Sequence, residues 1–103
     1  MATLDVLWAE YQRRPHPANI GDEVAGARLG ELDDDVRAAV GSYRAMGAEV
    51  GAWHVAQLGL ALADVERLLP EVTPATTREY FARLADLARA ALEAIARGDP
   101  PPA

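Results

Sequence analysis

Apolar residues at Val55, Leu58, Leu62, Val65 and Leu69 recur at spacings of three and four, the period of an α-helix with one face turned inward. Leu60, Ala61 and Leu68 widen that stripe beyond what a surface helix needs, so the pattern predicts a helix over 52–69 that lies centrally and is packed on more than one side. Pro70 is expected to stop it, because proline lacks an amide donor and disfavours helical geometry in the residue before it.

Three further segments carry the same period. Leu4, Leu7, Trp8 and Tyr11 predict a short amphipathic helix over 4–13, capped by Thr3 and with Asp5 in its first turn. Val36, Ala39, Val40 and Tyr43 form the inner face of a helix predicted over 33–46, with Gly47 placed as its left-handed terminator. There Asp33 reads as the cap, and Asp34 and Asp35 as first-turn acids at the positive end of the helix dipole. Gly41 within that helix costs roughly 1 kcal/mol relative to Ala and would be tolerated where another backbone passes closely. Tyr80, Phe81, Leu84, Leu87, Ala88, Ala91, Leu92 and Ile95 predict a last helix over 76–97, started either by Thr73-Pro74 or by a capping box at Thr76 to Glu79 and ended by Gly98.

Between the first two helices, 15–30 reads as a connector: Pro15-His16-Pro17 forces an extended exit, and Gly21, Gly26 and Gly30 interrupt the rest of the segment. Asp99 to Ala103 is a proline-rich tail expected to be disordered. The expectation is therefore an all-α fold, a single domain over 1–98, with three longer helices and a short N-terminal one packed across them.

Composition narrows the function classes. Half of the 103 residues are hydrophobic and only 6% aromatic, so the interior is built by close approach of Ala- and Leu-rich helices. The formal net charge of -6 argues against a nucleic-acid partner, whose affinity rests on clustered cations. With no cysteine there is neither a disulfide framework nor a thiolate metal site. No run of about 18 apolar residues is present to span a membrane, and Asp5 and Glu10 spoil the start as a signal peptide, so a cytoplasmic protein is expected.

The residues that could carry chemistry do not converge. His54 and Asp64 are too far apart along one helix, roughly 15 Å by its rise, to share an ion. Ser42, the only serine, falls in a helical stretch and not on a sharp turn, and the glycines match no phosphate-binding spacing. No cofactor or metal is expected.

Glu23-Val24-Ala25-Gly26 leading to Leu32-Asp33-Asp34-Asp35-Val36, the aromatic Tyr43, a helix ending before Pro70 and the pair Tyr80-Phe81 opening the last helix resemble a group of small, functionally uncharacterised actinobacterial helical proteins. Members of that group tend to carry Cys where this chain has Ala39. The resemblance implies one small helical domain of bacterial source and no particular activity.

Three functions remain as expectations. The first is a non-catalytic protein–protein interaction module, self-associating as a homodimer or binding another protein, because Leu60 lies opposite the main stripe of its helix and a small core cannot cover both faces. The second is an acidic neutraliser of a basic protein, of antitoxin or immunity type, docking through Asp22, Glu23, Asp34 and Asp35. The third is a small-molecule or enzymatic pocket near Tyr43, Trp53 and His54.

Overall fold

The computed structural model describes residues 3–15 and 23–98, with the backbone alone for 23–27 and Ala48. The fold is all-α. Its order is α1 (Leu4–Arg13), α2 (Glu23–Met46), a 3-10 turn (Gly47–Glu49), α3 (Ala52–Leu68), a second 3-10 turn (Leu69–Glu71) and α4 (Ala75–Arg97). The short N-terminal helix and three longer ones match the expected count, and α1 keeps its expected bounds. Thr3 caps α1 as read, its Oγ1 accepting from the Val6 amide at 3.3 Å.

The centre of the molecule is α4, not α3. It packs against each of the other three helices. Along it Thr77, Tyr80, Phe81, Leu84, Ala85, Leu87, Ala88, Ala91 and Ala94 are buried, whereas α3 buries Leu58, Ala61 and Val65. The difference is in side-chain size. The alanines of α4 let three neighbours approach its backbone on a broad front, whereas the apolar residues of α3 are divided between two opposite faces, only one of which is covered.

The second helix starts well before its expected bound. It begins at Glu23, so residues 23–30 of the expected connector are helical, while 16–22 lie outside the described residues. Leu29 and Leu32 are buried with Val36, Val40 and Tyr43, and their three- and four-residue spacing runs unbroken through the acidic triplet. Gly30 and Gly41 are carried within the helix, and a Cβ added to either meets nothing within 4 Å. No neighbouring backbone therefore explains Gly41. Gly47 terminates α2 with φ 61° and Gly98 terminates α4 with φ 71°, both as read.

Two expectations about helix ends are corrected. Leu69 keeps helical angles, φ -53° and ψ -43°, because Pro70 enters a tight 3-10 turn that prolongs the helix before Val72 turns extended. In α4 neither expected start is used, since Pro74 takes the cap position with ψ 179° and Thr77 is buried inside the helix. Proline suits that end because the first amides of a helix have no intrahelical acceptor.

Candidate interaction surface

At about 100° per residue, Trp53, Ala56, Leu60 and Ala63 fall on one line along α3, directly opposite Leu58, Ala61 and Val65. Their spacings of three, four and three are those of the apolar seam of a coiled coil. All four are exposed, Trp53 at 68% and Leu60 at 70% of their full area. Ion pairs anchored on the neighbouring helices flank this line near its C-terminal end. Asp64 receives Arg28 from α2 and Arg67 from its own helix, and Glu66 receives Arg89 from α4 at 3.1 Å. The two guanidiniums, Arg28 foremost, hold the Asp64 carboxyl below its ordinary range.

One acidic residue of α2 is directed elsewhere than expected. Asp33 is no cap: it is only 3% exposed and lies on the inner face of α2, where it accepts hydrogen bonds from Tyr11 of α1 at 2.7 Å and Tyr80 of α4 at 2.9 Å. A single carboxylate thereby joins three helices. Burial, and then the bond to Asp33, push both tyrosine hydroxyls well above their ordinary range, so they stay protonated as donors. Trp8 stacks on Tyr11 with centroids 5.6 Å apart, and Arg44 sits 5.7 Å over Trp8 while pairing with Asp5, which closes the seam between α1 and α2.

Asp34 pairs with Arg37 one turn on, and Asp35 accepts from Gln57 of α3 at 3.2 Å. These two therefore make contacts within the chain, and Asp22 and the Glu23 side chain lie outside the described residues. The expected pocket residues are divided between interior and surface. Tyr43 is buried, Trp53 stands in solvent, and the His54 ring meets Trp53 edge-on at 5.0 Å with its Nδ1 buried and without a hydrogen-bond partner among the described residues. A depression does open between α1 and α4, lined by Leu7, Glu10, Tyr11, Arg14, Tyr80, Arg83 and Leu84. The cavity it holds is only about 10 Å³, about the room one water needs and far below the roughly 300–1,000 Å³ of sites for drug-sized ligands.

No protein-family model, curated protein or solved structure matches this chain. The functional reading therefore rests on geometry alone. Among the described residues, no group of three or more His, Asp or Glu side chains is placed to hold a metal ion, and no helix is long and apolar enough to cross a membrane.

Sequence reasoning singles out Leu60 but misses both the line it belongs to and the Asp33 centre. The line is legible: Trp53, Ala56, Leu60 and Ala63 repeat a heptad that the stronger stripe through Leu58 and Val65 overshadows. For Asp33 the signal is its place between Leu29, Leu32 and Val36 on one helical face, which puts a carboxylate where only a paired one is tolerated.

Proposed function

We propose that this chain is a non-catalytic helical interaction module that self-associates through the outer face of α3. The observation that supports it is the exposure of Trp53 and Leu60 on a single line along α3, with Ala56 between them and Ala63 beyond. Isolated exposed apolar residues are ordinary, but a tryptophan and a leucine aligned two turns apart form a continuous apolar strip, the kind of feature that marks interaction sites. The buried carboxylate is engaged in structure: Asp33 joins Tyr11 and Tyr80, and both hydroxyls are held protonated.

The effect of Leu60 can be worked out. In a two-fold dimer, Leu60→Ala removes three carbons from each copy, worth roughly 3–5 kcal/mol in all at about 0.8 kcal/mol per buried methylene, which weakens association at least about a hundredfold. The fold should be nearly unaffected, because the side chain is 70% exposed in the single chain. Tryptophan emission followed on dilution tests this. A concentration-dependent red shift is expected, lost in Trp53→Phe and moved to at least a hundredfold higher concentration in Leu60→Ala. An emission maximum that never changes with concentration would overturn the proposal.

A further inference from the structure

The order of sizes along the exposed face of α3 is large, small, large, small: Trp53, Ala56, Leu60, Ala63. Two copies laid side by side in the same direction would set Trp53 on Trp53 and Ala56 on Ala56, alternating wide layers with empty ones. Laid in opposite directions about a two-fold axis level with Leu58, they set Trp53 against Ala63 and Leu60 against Ala56. Every layer then holds one large and one small side chain, so the two helices keep a constant separation along their length. Such pairing is isologous, each contact occurring twice.

Charge agrees with this arrangement. Beyond the last apolar layer, Arg67 of one copy arrives at the start of the second copy's α3, where Glu49 lies exposed in the turn before the helix. Arg67 keeps 68% of its side chain in water while bonded to Asp64, so its guanidinium has donors to spare. The area sets the strength. Trp53 at 68% exposure offers about 170 Å² and the whole strip roughly 400 Å² per copy, about 800 Å² in all, which is below the roughly 1,200–2,000 Å² of stable specific interfaces and fits only a weak, transient pairing.

We infer that the occupant of this face is a second copy of the chain, bound antiparallel with its two-fold axis level with Leu58, and that Arg67 and Glu49 fix the register. This rests on the self-association proposed above and adds the direction, the layer pairing and the charge pair. The dimer is weak and concentration-dependent.

Because the chain has no cysteine, one spin label can be placed at Glu71→Cys, an exposed position outside the strip. Pulsed dipolar spectroscopy on the dimer should give roughly 40 Å between labels, from twice the rise between position 58 and position 71. A distance under about 20 Å would mean parallel helices and would overturn the inference while leaving self-association intact. Alongside it, Arg67→Glu and Glu49→Arg should each raise the dimer dissociation constant about tenfold at low salt, and the double reversal should restore it to within about threefold. A double reversal no better than the singles would overturn the register. A mass that remains monomeric at all concentrations would instead remove the reading on which the inference rests.

Discussion

Replacing Tyr80 by Phe removes one oxygen from a deeply enclosed polar contact. Its hydroxyl donates to Asp33 Oδ2 at 2.9 Å on a residue only 4% exposed, so water has little access to take its place. A hydrogen bond to a carboxylate contributes about 1.5–3 kcal/mol, and the ring itself, packed edge-on against Phe81 at 5.1 Å, is retained. Tyr80→Phe should therefore lower the stability by about 2 kcal/mol. Tyr11→Phe should cost less, about 1 kcal/mol, since that side chain is half-buried and water can approach the Asp33 oxygen it leaves. Both hydroxyls meet one carboxylate, so the double variant should depart from additivity by about 0.5 kcal/mol or more. Urea unfolding followed by helical circular dichroism at a fixed chain concentration reads this directly. With a slope of about 1–3 kcal/mol per molar urea, Tyr80→Phe should move the midpoint down by about 1 M at unchanged slope. A midpoint within about 0.2 M of wild type would refute the idea that Asp33 holds α1, α2 and α4 together.

The same tyrosines make stability fall in alkali. Folding raises their pKa above the ordinary 10.0, so the unfolded chain releases protons that the folded one keeps. Their contribution is complete below about pH 10 and declines above it by about 1.4 kcal/mol per pH unit for each tyrosine still protonated, and the fall in melting temperature between about pH 10 and 11.5 should be shallower in Tyr80→Phe. Gly41→Ala should stabilise by about 0.5–1 kcal/mol in the same urea assay, since a Cβ there meets nothing within 4 Å and alanine is the better helix former. A destabilised Gly41→Ala would mean that the glycine is held for a contact this structure does not contain.

Periodicity makes most of the helices legible, because α1 and α4 each carry one apolar stripe and are bounded by unambiguous residues, Thr3 and Gly98 among them. It misleads where local chemistry and tertiary packing point in different directions. Three consecutive aspartates are good helix-start residues in isolation, and here Leu29 and Leu32 outweigh them by continuing the buried face of α2 on their N-terminal side. Likewise the surplus of apolar residues in α3 reads as central burial. The structure covers its Leu58 side and leaves its Leu60 side in water, a distinction that hydropathy along one helix cannot make because it does not record which neighbours are present. The Asp33 centre depends on tyrosines 22 and 47 positions away, a convergence that only the folded chain displays.

Whether the outer face of α3 joins two copies of this chain decides the functional reading. Molar mass by light scattering across a wide concentration series, for the wild type and for Leu60→Glu, answers that question without a label or a reporter. The wild type should approach twice its 11.0 kDa at high micromolar concentration and return to the single chain on dilution, while Leu60→Glu stays a monomer throughout with unchanged helicity. A wild type that remains a monomer at every concentration, or a Leu60→Glu variant that pairs as well as the wild type, would show that this face does not join two chains.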